Sequence, residues 1–219
     1  MQHDNRCSDA ITLRIATPEA AQFFDPADLS DADRHRLGRL RRPLRRLEFV
    51  VSRALKQRYR PTDGPVSLSH SGGLAALAQG PRGSRIGVDL ELHRPRRDIS
   101  IARFAYSAAE SEWLAGETDE RESLFYTLWV AKEAAAKALG ISLIEALRNC
   151  QLLRRDGVWR GTLPTALRWN LTVLRPRPDL SLAVALIDHR ENAISIQTSE
   201  WPPERIVDWP VVLQLDASG

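Results

Sequence analysis

Lysine is rare in this chain, and two of its three lysines lie within one short segment, Trp129–Lys137. The remaining basic side chains are 28 arginines. Because lysine is a flexible point charge and arginine a rigid planar fork, Lys132 and Lys137 indicate a task that suits an ammonium group. Glu133 lies between them and adds an acid. The alternative interpretation is that Glu133 and Lys137 form an exposed ion pair one helical turn apart, worth about 0.2–0.5 kcal/mol.

Two further carboxylates occur in the segment Ile86–Glu91, where apolar and polar residues alternate. This alternation predicts a strand with Asp89 and Glu91 on the same face. Neighbouring carboxylates repel each other unless a positive charge joins them. With Glu133 they would supply three oxygen ligands to a hard divalent cation, Mg²⁺ or Mn²⁺. The alternative is a polar strand face turned to solvent.

The segment Ser69–Gly73 places hydroxyl and imidazole groups next to two glycines. Ser69 and His70 are candidate phosphate-binding groups, because both side chains can donate hydrogen bonds and glycine permits close approach of the backbone. Carboxylates for a metal, with lysines and a histidine for phosphates, are the parts of a phosphoryl-transfer site. The sequence contains no Walker loop, Gly-x-Gly-x-x-Gly, Gly-x-Ser-x-Gly or His-Glu-x-x-His motif that would favour another chemistry.

Hydrophobic periodicity predicts the elements that carry these segments. Short strands are predicted at 11–15, 66–68, 74–78, 86–91, 150–153, 158–159, 167–174, 180–187 and 194–197. Helices are predicted after an N-cap at Ser30, over 44–59, over 101–114 with a capping box from Ser107 to Glu110, and between Asp119 and Gly140. Each half of the chain is thus predicted to combine helices with a small antiparallel sheet.

Composition is that of an ordinary globular protein, with 43% hydrophobic and 27% charged residues. No apolar run is long enough to span a membrane, and no signal peptide is evident. Cys7 and Cys150 are far apart and are predicted to be free thiols in a cytoplasmic protein. Arginines crowd into 34–46, which fits a solvated helix face, a phosphate-bearing ligand or an acidic protein surface. Nucleic acid is disfavoured because no aromatic residues interleave with these arginines.

Three blocks, in this order, resemble the surfactin-type (Sfp-like) 4′-phosphopantetheinyl transferases: Ser67–Gly72, Ile86–Glu91 and Trp129–Lys137. The last block is similar to the Trp-x-x-Lys-Glu-Ala-x-x-Lys signature of that family at every fixed position. Arg103–Glu110 is similar to the family's Phe-Ser-x-x-Glu region. Each block alone is unspecific, whereas all of them in this order are specific. The similarity extends over residues 34–185, most of the chain.

The resemblance implies an α+β fold of two similar halves with small antiparallel sheets, related by pseudo-twofold symmetry, with coenzyme A between them. The predicted halves are 1–98 and 99–200, followed by a C-terminal tail, 201–219. The implied reaction moves 4′-phosphopantetheine from coenzyme A to a serine of an apo acyl or peptidyl carrier protein and releases 3′,5′-ADP. The duplication would favour a monomer, and the arginine-rich surface would attract an acidic carrier.

The resemblance also implies roles for the acidic and lysine positions. Asp89, Glu91 and Glu133 would hold Mg²⁺, or Mn²⁺, on the pyrophosphate. Glu133, directly or through water, would act as general base toward the carrier serine. Lys137 would stabilise the departing phosphate, and Lys132 would assist.

The remaining predicted contacts concern coenzyme A itself. By the same resemblance, Ser69 and His70 would anchor one of its phosphates. Family members usually carry a Gly-Lys-Pro motif ahead of the Ser-His-Ser block, and this chain lacks it. Part of the contact with adenine and the 3′-phosphate would therefore pass to Arg45, Arg46 or Arg53.

Two alternatives to an active transferase follow from the missing Gly-Lys-Pro motif and from the arginine cluster. The stretch 61–65, where the Gly-Lys-Pro motif would stand, contains no lysine, so the chain could be a non-catalytic binder of coenzyme A or of carrier proteins. The arginine cluster leaves a nucleic-acid-binding protein as the third hypothesis. Coenzyme A binding and carrier loading discriminate among the three.

Overall fold

The computed structural model describes residues 10–60, 64–94, 106–188 and 195–217. Its helices are α1 (Asp31–Arg39), α2 (Pro43–Tyr59), α3 (Ala108–Gly116), α4 (Arg121–Leu139) and α5 (Leu143–Asn149), with 3₁₀ turns at Pro18–Phe23 and Pro26–Asp28. Its strands are β1 (Ala10–Ala16), β2 (Val66–Ser71), β3 (Leu74–Gln79), β4 (Arg85–Leu92), β5 (Gln151–Arg155), β6 (Val158–Thr162), β7 (Arg168–Arg177), β8 (Leu180–Asp188), β9 (Ser195–Trp201), β10 (Arg205–Ile206) and β11 (Val211–Asp216).

The strands form two main sheets and a hairpin. The first sheet has the order β10-β9-β1-β3-β2, the second has the order β11-β7-β8-β4, and β5 pairs with β6. Neighbouring strands are antiparallel except β1 and β9, which are parallel. Helix α2 packs on the first sheet and α4 on the second. The predicted α+β class with small antiparallel sheets is therefore confirmed.

Strand pairing does not follow the predicted division at residue 98. Strand β4 precedes that residue and pairs with β8, whereas β9 follows it and pairs with β1. The segment 201–219, expected to be a tail, contributes β10 and β11 to the two sheets. Its Leu213 and Leu215 are buried because they alternate along β11 and face the core. Pseudo-twofold symmetry between the halves stays a prediction.

Local signals placed most element ends correctly. Ser30 caps α1 by accepting from the amide of Asp33, and Ser107 forms the predicted capping box with Glu110. Helix α4 ends at Gly140, which has a φ of 72° as a left-handed cap requires. The predicted cap at Asp119 is wrong, since Glu120 occupies that position without a side-chain hydrogen bond.

Some predictions concern residues beyond this description. Cys7, residues 61–63 and the Arg103–Phe104 pair lie outside the described residues. Cys150 is a free, buried thiol, and its burial raises the pKa of the thiol to about 11. Among the described residues, no helix is both long and apolar enough to cross a membrane.

Serine side chains join the edges of the two sheets. Strands β2 and β4 lie side by side, yet they belong to different sheets. The Ser67 hydroxyl accepts from the Val88 amide at 3.0 Å, and the Ser71 hydroxyl accepts from the Leu92 amide at 3.2 Å. These bonds satisfy backbone donors that a regular partner strand would otherwise satisfy. They set the position of β4 against β2.

Helix α4 lies directly on β4 because a glycine leaves room for it. A Cβ atom on Gly87 would overlap the carbonyl oxygen of Ala134 and crowd the amide of Ala138. Helix and strand backbones therefore approach closely at this point. This contact brings the polar face of β4 against the helix that carries Glu133 and Lys137.

A buried ion pair fixes the other side of α4. Lys132 and Glu110 are both 0% exposed, and the ammonium donates to Glu110 Oε2 at 2.7 Å and to the carbonyl of Leu147 at 3.0 Å. The second oxygen of Glu110 accepts from the Leu152 amide at 2.7 Å. Burial lowers the pKa of Lys132, and the adjacent Glu110 opposes that shift. The pair connects α3, α4, α5 and β5.

Substitution of Gly87 by alanine should destabilise the protein strongly. The added methyl group meets helix backbone, which cannot move away as a flexible side chain could, and overpacking of this kind costs about 1–3 kcal/mol or more. Urea unfolding measures the change. Gly116→Ala is the matched control, because a Cβ there meets nothing within 4 Å. Equal stability of the Gly87 variant and the control would contradict the close approach.

Replacement of Lys132 by methionine should lower the free energy of unfolding by about 3–5 kcal/mol, because it leaves the buried carboxylate of Glu110 unpaired. The double variant Glu110→Gln with Lys132→Met should recover part of that loss, since neither buried group is then charged. Chemical unfolding of the wild type and the two variants measures both effects. A single variant as stable as the wild type would show that the pair does not stabilise the fold.

Candidate active site

Asp89 is the most enclosed carboxylate of the predicted site, with 2% of its surface exposed. Its Oδ1 accepts from the Ser69 hydroxyl at 2.8 Å and from the Lys137 ammonium at 2.8 Å. Lys137 also donates to the carbonyl of Val88 at 2.7 Å. The Oδ2 atom is buried and has no hydrogen-bond partner among the described residues. The solvent-facing alternative is thereby excluded for Asp89.

Glu91 lies two residues further along the same face of β4. Its Oε2 accepts from the Ser71 hydroxyl at 2.7 Å. Alternate serines of β2 thus bind the alternate carboxylates of β4, Ser69 to Asp89 and Ser71 to Glu91. The hydroxyl of Ser69 was predicted to anchor a phosphate, and in the structure it donates its hydrogen bond to the carboxylate of Asp89. Sequence reasoning had no signal for this pairing, because β2 and β4 lie in different sheets.

Glu133 faces this pair of carboxylates from α4. Burial raises the pKa of Glu133 to about 7, and the negative charge of Asp89 adds to the increase. The Lys137 ammonium opposes the shift, while Glu91 contributes a smaller increase. A carboxyl group with a pKa near neutrality can take up and release a proton at physiological pH. The structure therefore brings Glu133, Asp89 and Lys137 together.

The fit of this site to a divalent cation rests on its oxygen atoms. Asp89 has a buried carboxylate oxygen without a hydrogen-bond partner among the described residues, and the negative charges of Asp89 and Glu133 repel each other. A hard cation bound between such oxygens would relieve this repulsion. In the structure, Lys137 compensates the charge of Asp89 instead. Across the described ranges, no three or more histidine, cysteine, aspartate or glutamate side chains are already grouped as metal ligands. The donor chemistry fits Mg²⁺, and the three-carboxylate site stays a prediction.

The two lysines of α4 have different surroundings. Lys137 bridges to β4 through Asp89 and keeps 33% of its side chain exposed, so it is accessible to a ligand. Its ammonium forms an ion pair with Asp89 on β4 rather than with Glu133 one turn away on the same helix. Lys132 points to the opposite side of the helix, into the core with Glu110. Lys132 lies a quarter turn away from Glu133 on the helix, and its side chain therefore contacts α3 and α5 instead of the site. The structure gives it a structural role in place of the predicted assisting role.

His70 lies at the edge of the site and has a partner that the sequence did not reveal. Its Nδ1 is 3.5 Å from Oε2 of Glu48, a residue of α2 that is 3% exposed. Arg45 donates to the same Glu48 oxygen at 3.2 Å. Burial lowers the pKa of His70, and Glu48 opposes this. One of the three candidate arginines is thus placed beside His70.

The other two candidate arginines have different partners. Arg46 donates to the carbonyl of Leu37 at 3.4 Å. Arg53 forms a two-point ion pair with Asp33, at 2.7 and 2.8 Å, and its guanidinium lies over the ring of Phe49. These bonds fix α2 to α1. The structure therefore favours Arg45 over Arg46 and Arg53 as a ligand contact.

Three side chains have partners that the sequence did not reveal: Glu48 beside His70, Ser71 bound to Glu91, and Glu110 paired with Lys132 in the core. Glu48 lies among arginines in the sequence, which gives no sign that it is buried. Glu110 was predicted as a capping residue and as part of the Phe-Ser-x-x-Glu resemblance, but not as the partner of Lys132. The short helix α5 was also missed, although Ser142 and Glu145 have the spacing of a cap, and Ser142 does accept from the Glu145 amide.

Comparisons with known proteins show which families and proteins parts of this chain are similar to. Residues 85–185 match the family model described as the 4'-phosphopantetheinyl transferase superfamily. The 4'-phosphopantetheinyl transferase HetI of Nostoc sp. is 34% identical over 124 residues, 55% of this chain and 50% of HetI. A putative 4'-phosphopantetheinyl transferase of Synechocystis sp. is 36% identical over 76 residues, 34% of this chain and 30% of that protein.

The matched segments span half of the length of the first of these relatives and less of the second. The family match covers β4 and α4, and therefore Asp89, Glu91, Glu133 and Lys137. The surfactin-type subgroup stays a prediction. Over residues 85–185, which carry the candidate active site, this chain is similar to the 4'-phosphopantetheinyl transferase superfamily.

Proposed function

We propose that this protein transfers 4′-phosphopantetheine from coenzyme A to a serine of an apo acyl or peptidyl carrier protein, as a transferase of the surfactin type. The observation that carries the proposal is the meeting of Asp89, Glu133 and Lys137 in the segment similar to the transferase superfamily. Each of these side chains suits one part of a phosphoryl transfer, in which catalysis consists mainly of positioning and charge neutralisation.

The chemical step exchanges one phosphorus–oxygen bond for another. The carrier serine oxygen forms a bond to the phosphorus that bears the pantetheine arm, and the bond from that phosphorus to 3′,5′-ADP breaks. The serine proton passes to Glu133, directly or through water. Without a cation, burial and the charge of Asp89 raise the pKa of Glu133 to about 7, and a bound cation would lower it again, so Glu133 would be an ionised carboxylate able to accept the proton.

Lys137 supplies the positive charge on the other side of the reaction. Its ammonium is held by Asp89 and the Val88 carbonyl, and a third of its side chain stays exposed. A lysine ammonium has three donors, so it can keep one protein contact while it binds a phosphate oxygen of the departing 3′,5′-ADP. This placement stabilises the negative charge that develops there.

Magnesium is the cofactor that this donor set fits, with Mn²⁺ as an alternative. Asp89, through its unpartnered oxygen, together with Glu91 and Glu133 would hold the ion. When bound, the cation would neutralise negative charge on the pyrophosphate of coenzyme A. The mutual repulsion that raises the pKa of Glu133 would be relieved by a cation, which supports the proposal.

The partner that best fits this surface is an acidic carrier protein. The arginines at 34–46 lie on α1, on the start of α2 and between the two helices, and several of them extend into solvent. Opposite charge raises the association rate of two proteins. One chain supplies Asp89, Glu133 and Lys137, so the proposed enzyme needs no second copy for these residues, which supports a monomer. Its free thiol Cys150 fits the cytoplasm.

A second candidate function is a non-catalytic binder of coenzyme A or of carrier proteins. It is favoured by the missing Gly-Lys-Pro motif and by the pairing of Arg53 with Asp33 rather than with solvent. Calorimetry with coenzyme A and Mg²⁺, followed by mass spectrometry of an apo carrier protein, separates the candidates. Tight binding without any gain of a phosphopantetheine group on several carriers would favour the binder.

Substitution of Glu133 by glutamine should reduce carrier loading by at least about a hundredfold, because the variant cannot accept the serine proton. The measurement is the initial rate at which an apo carrier gains mass in the presence of coenzyme A and Mg²⁺. Glu122→Gln, on the same helix but away from the site, is the control and should load at the wild-type rate. Wild-type activity in the Glu133 variant would contradict its role as base.

Substitution of Lys137 by alanine should lower kcat more than it raises KM for coenzyme A, because the lost charge acts mainly on the departing phosphate. Steady-state loading kinetics measure both constants. Lys56→Ala removes the one lysine that lies outside α4 and serves as the matched control. A change confined to KM would show that Lys137 only binds the substrate.

A further inference from the structure

Glu48 is a carboxylate that α2 holds almost completely out of water, with 3% of its side chain exposed. An ionised carboxylate in such a place is unfavourable unless positive groups surround it. One of its oxygens, Oε2, meets Nη1 of Arg45 at 3.2 Å and Nδ1 of His70 at 3.5 Å. Arg45 belongs to α2 and His70 to β2. Glu48 therefore contacts a guanidinium and an imidazole from different elements and connects them.

The orientation of these groups leaves their outer donors accessible. Nδ1 of His70 is buried and has no hydrogen-bond partner among the described residues, whereas 31% of the side chain is exposed. The exposed part of the side chain therefore does not include Nδ1, and Nε2 is the ring's other hydrogen-bonding atom. The side chain of Arg45 is 60% exposed. A carboxylate at Nδ1 stabilises the protonated ring, and a protonated ring donates outward from Nε2.

The charges around His70 indicate what this arrangement binds. Burial is the main factor that lowers its pKa, Arg45 and Arg36 lower it further, and Glu48 opposes them. A dianion at the outer edge would act in the same direction as Glu48 and favour the protonated ring. With His70 protonated, the positive charges of His70, Arg45 and Arg36 outweigh the single negative charge of Glu48. The cluster is then a net positive site for an anion.

We infer that Glu48 is a positioning residue: it holds His70 and Arg45 with their outer donors directed to a phosphate group of coenzyme A. The inference rests on the proposed function, which supplies the identity of the ligand. The phosphate belongs either to the 3′ position of the ribose or to the pyrophosphate. Both offer oxygen atoms that accept charge-assisted hydrogen bonds from an imidazolium and a guanidinium.

The experiment compares coenzyme A with dephospho-coenzyme A by titration calorimetry in two buffers of different ionisation enthalpy. Glu48→Gln keeps the shape of the side chain and removes its charge, and Glu112→Gln, an exposed glutamate of α3, is the matched control. We expect Glu48→Gln to weaken binding of coenzyme A about tenfold. Wild type and control should take up protons on binding, and Glu48→Gln should take up fewer.

The pattern across the two ligands identifies the phosphate. Weaker binding of coenzyme A alone assigns the 3′-phosphate, and equally weaker binding of both ligands assigns the pyrophosphate; either result supports the inference. Because Glu48 acts through its partners, Glu48→Gln should add little to His70→Gln in the double variant. Wild-type affinity and proton uptake in Glu48→Gln, or full additivity of the two substitutions, would overturn it.

Two further measurements keep the test decisive. If circular dichroism shows that Glu48→Gln does not fold, Glu48→Asp replaces it: a shortened carboxylate should weaken binding, and unchanged affinity would overturn the inference. If the wild type neither binds coenzyme A nor loads a carrier, the proposed function fails while the subsite is still tested with inorganic pyrophosphate. Greater thermal stabilisation of the wild type than of Glu48→Gln would then support the subsite, and equal stabilisation would refute it.

Discussion

The buried charge of Asp89 is the constraint on which the rest of the site depends. A carboxylate with 2% exposure must be compensated, and the compensation comes from two groups, the Ser69 hydroxyl on β2 and the Lys137 ammonium on α4. Its second oxygen has no hydrogen-bond partner among the described residues. These contacts can exist only if β2, β4 and α4 meet at one place. Gly87 allows that meeting, because any side chain there would separate the helix from the strand.

Buried carboxylates with basic partners recur among the described residues, and each joins elements that hydrophobic packing alone would leave less constrained. Lys132 with Glu110 connects the helices and the β5 hairpin strand, and Glu48 connects α2 to β2 through His70. Removal of one partner of such a pair is costly, whereas an apolar pair of the same shape often is not. Their presence therefore indicates a requirement for defined geometry around α4 and β2, the two elements that flank the candidate site.

Sequence patterns predicted the elements well and their partners poorly. The amphipathic run of α2, the alternation of β4 and the glycine that ends α4 are local signals, and the structure agrees with them. The position of β4 in the same sheet as β8, and the two strands after residue 201, depend on contacts between distant parts of the chain. No local pattern encodes such pairing, because a strand has the same periodicity whichever neighbour it takes.

The sequence by itself determined the chemical inventory: three carboxylates, a histidine between serines, and lysine used sparingly where a flexible ammonium is needed. Only the tertiary structure decided which of these groups act together. It separated Lys137, which reaches Asp89, from Lys132, which lies in the core, although the two are five residues apart on one helix. The physical reason is that residue type specifies what a side chain can bind, whereas burial and the direction of each Cα–Cβ bond specify what it meets.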